Sequence, residues 1–404
     1  MNILMLSPWL PWPPHDGARI RILETLKFLS QRHRVTLLGH INSEEERANI
    51  KDVAELCEEV FVELISNRAD ARLVRMMRAA GSGKPFIQGI HYSQSLARRV
   101  RALTEKRDFN IIHVELSLIS RYVRSVSPRS RAKTILSTHN IESQRFEREL
   151  KLSSWSLRRL VLLADSVLFR NWEERALAPF DGAIAVSEHD KSWLESRFGE
   201  RPVGLVRNGV DTRYFSRTSP YSAASQKIVF TGVMDYPPNV DAVVWFVEAI
   251  LPQLKGICPA LSFQIVGARP SPRVGALAVH EGVEVTGEVD DIRPYVEDAL
   301  GFVVPLRSGG GTRLKILQAM SMGCPVISTS IGAEGLELVA GENVLFAEHP
   351  DEFVEHIALL QAQPQQARLL GEAGRRCALE RYDWQTCLGG IEDIYRRAMG
   401  AQDL

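Results

Sequence analysis

The sequence predicts an α/β protein built as two doubly wound, Rossmann-like domains. Three observations predict it. Short apolar, β-branched runs alternate with longer amphipathic stretches, which means parallel sheets covered on both faces. The 404 residues exceed what one hydrophobic core usually serves, and a small, polar segment, RYFSRTSPYSAASQ, interrupts the alternation after Asp211. At 45% apolar and 24% charged, the composition is that of an ordinary globular chain, which excludes collagen, low-complexity disorder and a disulfide mini-scaffold.

Strands are expected over 2–7, 34–39, 60–65, 110–115, 133–138, 182–187 and 203–206, with amphipathic helices between them. The clearest helix, 18–31, carries Ile22, Leu26 and Leu29 on one face. The second series opens at KIVFTG and continues through a helix over 239–254, LSFQIVG, VEVTG and LGFVVPL. It ends with a helix over 312–321, PVISTS and a short strand near ENVLFA. The last segment, DWQTCLGGIEDIYRRAM, is helical, with Trp384, Leu388, Ile391 and Ile394 or Tyr395 on one stripe.

Five scattered cysteines, Cys57, Cys258, Cys324, Cys377 and Cys387, form no Cys-x-x-Cys pair, which argues against a disulfide framework and a structural zinc site and fits a reducing cytosol. The opening MNILMLS is too short and lacks the basic leader of a signal peptide, so it reads as a first buried strand. No run long enough to span a bilayer is free of charge. The zero net charge hides an asymmetry: 35 Lys/Arg against 26 Asp/Glu up to Arg217, then 14 against 23. A balanced total argues against nucleic acid as a partner, whereas a basic first half suits an anionic ligand or membrane surface, or simply solvated faces.

The densest chemical signal runs over 306–336, LRSGGGTRLKILQAMSMGCPVISTSIGAEGL. A strand ends at Pro305 and Leu306, Gly309, Gly310 and Gly311 follow, and a helix is expected to open near Thr312. Glycines let backbone approach a ligand closely, and free N–H groups at the positive end of a helix favour an anion. Arg307, Arg313 and Lys315 add charge beside them, so the segment reads as a phosphate or diphosphate site. It is neither a G-x-G-x-x-G fingerprint nor a Walker loop, and a plain flexible loop is the competing reading.

GGGTRLKILQAMSMGCPVISTSIGAEGL resembles the donor-binding core of glycosyltransferase family 4, the retaining GT-B enzymes. VRNGVDTRYF resembles that family's joint after the first domain, IVFTGVMDYPPNVDAVVWF the opening of the second, and MLSPWLPWPPHDGARIRILETLKFLSQRHRVTLL its first loop and helix. The resemblance implies two Rossmann-like domains facing a central cleft. Residues 1–213 would bind the acceptor, with a C-terminal helix over 383–404 packed back on them, and 214–382 would bind a nucleoside diphosphate sugar. It implies transfer with retained configuration, no cofactor beyond that co-substrate and no metal. The sequence has no Asp-x-Asp carboxylate pair for a divalent ion, so the leaving diphosphate needs fixed protein charge and N–H donors.

Two departures matter. Gly310 and Gln318 stand where the family carries two glutamates, the first near the sugar hydroxyls and the second on the ribose. Val233 and Pro238 stand where it often has an Arg and a Lys, so Arg313 and Lys315 are expected to supply the phosphate charge beside Gly232, together with Thr312 at the helix start. The resemblance also puts Tyr295 near the nucleobase, against a competing role in core packing, and Gly17 in a loop facing the diphosphate, against a plain strand-to-helix turn. Arg19 or Arg21 would flank the cleft.

His139, in ILSTHNIES, follows a strand end and matches a cleft histidine of the family, where it can bond a sugar hydroxyl, against a competing role as a satisfied, partly buried histidine; Asn140 and Glu142 share its loop. Glu115 ends another strand and is a candidate to orient an acceptor hydroxyl, with a structural role as the alternative. Arg68, Arg72, Arg75 and Arg78, interleaved with Leu73, Val74, Met76 and Met77, form a candidate contact with anionic lipid, with an ordinary solvated helix as the competing reading. The expected function is transfer of a sugar to a saccharide or lipid-linked acceptor in polysaccharide or glycolipid biosynthesis, in the cytoplasm or peripherally on the cytosolic face of a membrane. A sugar-nucleotide epimerase of the same fold and a non-catalytic nucleotide-sugar-binding member are the alternatives.

Overall fold

A computed structural model of the chain describes residues 1–65, 69–81, 85, 89–144, 150, 157–309 and 311–400. The chain divides into two compact units, Met1–Arg207 with the segment from Leu388 onward, and Asn208–Cys387.

The first unit holds β1 (Asn2–Leu6), β2 (Arg34–Ile41), β3 (Glu59–Leu64), β4 (Ile111–Glu115), β5 (Lys133–Ser137), β6 (Gly182–Ala185) and β7 (Val203–Leu205). They form one parallel sheet in the order β3-β2-β1-β4-β5-β6-β7. Ile3, Leu4, Met5 and Leu6 of β1 are all fully buried, because a central strand covered on both faces has no outward side. The helices used below are α1 (Gly17–Ser30), α2 (Ala69–Gly81) and α3 (Leu157–Leu177). The Asp16 side chain caps α1, accepting from the Arg19 backbone N–H at 2.9 Å.

The second unit holds β8 (Lys227–Thr231), β9 (Ser262–Val266), β10 (Val283–Gly287), β11 (Gly301–Val304), β12 (Val326–Ser328) and β13 (Leu345–Phe346), in the parallel order β10-β9-β8-β11-β12-β13. Helices α4 (Pro237–Trp245) and α5 (Leu314–Ser321) follow β8 and β11. In both sheets the strand order reverses beside the first strand, between β1 and β4 and between β8 and β11. Doubly wound sheets bind ligands beyond the carboxyl ends of strands at such a reversal.

The expected C-terminal stripe is buried at all its positions, but two helices make it, Trp384–Leu388 and α6 (Ile391–Met399), broken at Gly389 and Gly390. The return to the first unit falls at Leu388, not at 383. The backbone N–H of Trp384 still donates to the Val210 carbonyl at 3.3 Å, and a Cβ on Gly209 would stand 3.0 Å from the Trp384 ring. Ile394, by contrast, fills the space over Gly204 on β7, where a Cβ would lie 2.2 Å from its Cδ1.

Candidate active site

In the second unit the end of β8, the start of α4 and the loop from β11 to α5 meet at one place. Gly309 and Gly311 take φ of 109° and 81°, a region that only glycine enters without strain, so the loop is carried by backbone and not by side-chain packing. This delays α5, which starts at Leu314 and not near Thr312; Arg313 precedes it in a non-helical conformation, and no side chain caps its first turn. The uncapped N-terminus is the positive end of the helix dipole.

Lys315 reaches back from that first turn. Its ammonium donates to Asn239 Oδ1 at 3.0 Å and lies 3.8 Å from the centre of the Phe230 ring on β8. Asn239 is oriented for this, since its Nδ2 donates to the Val233 carbonyl at 2.9 Å. Gly232 makes the room: a Cβ there would stand 2.7 Å from Asn239 Nδ2 and 2.9 Å from Lys315 Nζ. Arg313 folds over the glycine loop, donating to the Gly311 carbonyl at 2.8 Å, and a Cβ on Gly309 would lie 2.9 Å from its Nη2. Loss of solvation, and secondarily the Arg313 charge, pushes the Lys315 pKa well below the usual lysine range. Arg313 and a lysine pushed towards its neutral form thus share one partly desolvated place at a helix N-terminus, where an anion would favour the ammonium.

Not every expected donor residue joins this cluster. Arg307 is engaged elsewhere: Asp241 holds it with two hydrogen bonds, 2.6 and 3.0 Å, and its guanidinium lies 5.0 Å from the Trp245 ring centre. It supplies no unspent charge to the loop. Tyr295 packs half-buried against the second unit's core. Gln318, half-buried, lies one turn beyond Lys315 on α5. Thr312 faces the turn at Gly335, whose Cβ would lie 3.4 Å from its Oγ1. Gly310 lies outside the described residues.

In the first unit a second cluster forms at the ends of β4 and β5. His139 Nε2 lies 2.8 Å from Glu115 Oε2, His113 Nε2 lies 3.0 Å from Glu115 Oε1, and the Tyr395 hydroxyl lies 2.7 Å from His113 Nδ1. Glu115 is fully buried, with one histidine on each of its oxygens. The residue after it, Leu116, is held at φ 72°, ψ 137°, a conformation that costs an L-residue about 1–3 kcal/mol. On the His139 loop, the Glu142 and Ser143 N–H groups donate to the buried carboxylate of Glu173 on α3.

Gly17 is exposed at the start of α1. Arg19 pairs with Asp16 at 2.6 Å, beside His15 and the Trp9 ring. Arg21 is wholly buried and donates to the carbonyls of Val206 and Arg207, which makes it a clamp on the chain after β7.

The Glycosyltransferase Family 4 model matches residues 15–214 and the Glycosyl transferases group 1 model matches residues 225–363. The chain belongs to the family 4 glycosyltransferases. It is 22% identical over 375 residues, 88% of this chain and 90% of the relative, to an "Uncharacterized 44.6 kDa protein in cps region" of Klebsiella pneumoniae. Its fold is similar to that of sucrose-phosphate synthase from Thermosynechococcus elongatus, with a TM-score of 0.67 at 15% identity over 98% of each chain. It is also similar to Anabaena HepE in complex with UDP-glucose, with a TM-score of 0.62 at 16% identity over 97% of this chain and 98% of that one. The two sheets are those of a GT-B glycosyltransferase.

For this glycosyltransferase, sequence reasoning missed Asn239, His113 and Tyr395. His113 had a signal, because residues two apart on a strand share a face and so stand together with Glu115. Asn239 had a weaker one, a polar residue directly after the two prolines that open α4. Tyr395 had none: 282 residues separate it from His113.

Proposed function

We propose that the chain is a retaining, metal-independent glycosyltransferase that moves a sugar from a nucleoside diphosphate sugar to a saccharide or lipid-linked acceptor in polysaccharide or glycolipid biosynthesis. The observation that carries this reading is the Arg313 and Lys315 pair at the glycine loop: two cations on preorganised backbone suit a diphosphate that gains charge as it leaves. The UDP-glucose bound to HepE supports a nucleotide-sugar donor. The lack of any Asp-x-Asp in the sequence supports doing without a divalent ion. With no metal at the diphosphate, the work falls to Arg313, Lys315 and the first-turn N–H groups of α5, while His139 meets a sugar hydroxyl.

The reading extends to work at the cytosolic face of an anionic membrane. On α2, Leu73 and Met77 are 57% and 66% exposed with Val74 and Arg78 beside them, an apolar and basic surface that suits such a contact. Arg68 and the side chain of Arg72 lie outside the described residues. No helix among the described residues is long and apolar enough to cross a membrane.

A thermal-shift panel of nucleoside diphosphates and their sugars tests the reading, since a ligand at a hundred times its Kd adds about 2.7 kcal/mol of apparent stability. The donor so found should be transferred in excess EDTA with its anomeric configuration retained. Transfer that stops in EDTA and returns only with Mg or Mn would defeat the metal-free mechanism, and interconversion of the donor alone would favour the epimerase.

A further inference from the structure

With both rings neutral, the Tyr395–His113–Glu115–His139 chain has one consistent set of protons. A carboxylate accepts and does not donate, so each histidine that touches Glu115 must present an N–H, and both do so through Nε2. His113 then offers Nδ1 as a lone pair to the Tyr395 hydroxyl, which donates. Burial, and after it the charge of Glu115, holds that hydroxyl well above the usual tyrosine range, so its proton stays. Burial alone would raise the Glu115 carboxyl; the two histidines hydrogen-bonded to it outweigh burial and keep the group below the usual carboxylate range. His139 has given Nε2 to Glu115, and among the described residues its Nδ1 makes no hydrogen bond, while the ring keeps 8% of its exposure. Strand register supports the placement. Glu115 pairs with Ser137 across β4 and β5, and the Leu116 N–H donates to the Ser137 carbonyl at 2.9 Å, two residues before His139.

We propose that Glu115 is a positioning residue that holds neutral His139 as its Nε2–H tautomer, reserving Nδ1 as the acceptor for a sugar hydroxyl, and that Tyr395 on the C-terminal helix closes the chain by occupying His113. The hydroxyl donor in this statement rests on the glycosyltransfer proposed above; the tautomer does not. Tautomer and orientation of a histidine are commonly set by the bond its other nitrogen makes.

The test is nitrogen-15 NMR of the full chain labelled at histidine, with His139 and His113 assigned by His139→Gln and His113→Gln, at mildly alkaline pH. A pyrrole-type Nε2 and a pyridine-type Nδ1 on His139 are expected. A proton on Nδ1, or a ring that still carries both protons, overturns the proposal, and this measurement needs no variant of Glu115 to fold. Glu115→Gln replaces one acceptor oxygen by an N–H donor, so one histidine must move its proton to Nδ1; kcat should then fall roughly tenfold with the donor KM little changed. Tyr395→Phe should keep the His139 tautomer and turnover within about a factor of two. A changed His139 tautomer with undiminished kcat would remove the positioning role. Failure of the native protein to transfer from any donor would instead sink the functional reading, and the tautomer would still be decided by the spectrum.

Discussion

Lys315 donates a hydrogen bond to Asn239 Oδ1 at 3.0 Å, across 76 residues of chain. The contact joins the first turn of α5 to the start of α4 and holds the ammonium against Phe230, where loss of solvation lowers its pKa well below the usual value. A lysine with a lowered folded pKa disfavours its charged form, so between the folded and unfolded pKa values the unfolded chain binds more protons and stability rises with pH. A bound diphosphate opposes the shift by favouring the ammonium. Nucleotide binding should therefore take up a proton and weaken as pH rises through the free-protein pKa of Lys315. Calorimetry in two buffers of different ionisation enthalpy reads this directly. Proton uptake is expected for the native protein and not for Lys315→Arg, whose guanidinium stays charged; equal uptake in both would assign the proton to another group.

Transfer should depend on this pair far more than folding does. Removing a preorganised charge at a leaving group costs about 3 kcal/mol in the transition state, roughly a hundredfold in rate. An Arg313→Ala, Lys315→Ala double variant that melts normally yet keeps near-native turnover would take the diphosphate away from this loop.

Gln318 stands where the family's ribose-binding glutamate is expected. A carboxylate can accept from both ribose hydroxyls, whereas the amide has one acceptor oxygen and must meet the second hydroxyl with an N–H. Gln318→Glu should bind the donor nucleotide as tightly as the native chain or up to about tenfold more tightly, and Gln318→Ala more weakly. Identical affinities by calorimetry would place the ribose away from α5.

Glu173 should give the first unit a pH-dependent stability. Burial lifts its pKa from 4.5 to about 7, even though the N–H groups of Glu142 and Ser143 favour its ionised form. With the folded value the higher one, the folded state binds more protons between these limits. Stability is therefore greatest below the unfolded value and is lost as pH rises through the folded one. Glu173→Gln should flatten the fall in Tm between about pH 4.5 and 7. An unchanged slope would assign the titration elsewhere.

The α2 surface should bring the protein down with anionic vesicles and release it as salt rises, because exposed charges are screened within about 8 Å at physiological ionic strength. Replacing Arg68, Arg72 and Arg75 by Gln should weaken sedimentation. Binding to neutral vesicles that is just as strong, and indifferent to salt, would show that basic charge is not what attracts it.

The strands of the described residues were legible because each signal is local: a run such as 3–6 or 228–230 is apolar throughout where a central strand is covered on both faces. The glycine loop was legible for the same reason, since Gly309 and Gly311 answer a backbone demand at their own positions. Charge was harder to place. Arg307, Arg313 and Lys315 look alike within ten residues of sequence, yet Asp241 claims the first, and the other two fold onto Gly311 and Asn239. Partner choice depends on which side chains the neighbouring helix brings into reach, and α4 lies far away along the chain.

By itself the sequence determined the two doubly wound domains, the glycine loop after β11 and the family, because periodicity, glycine and short motifs act over a few residues. Only the tertiary structure decided that Glu115 is buried between His139 and His113, that Arg21 clamps the chain after β7, and that Tyr395 completes a buried polar chain. A buried polar atom must be satisfied by whatever donor or acceptor the fold delivers within about 3 Å, and that delivery is long-range.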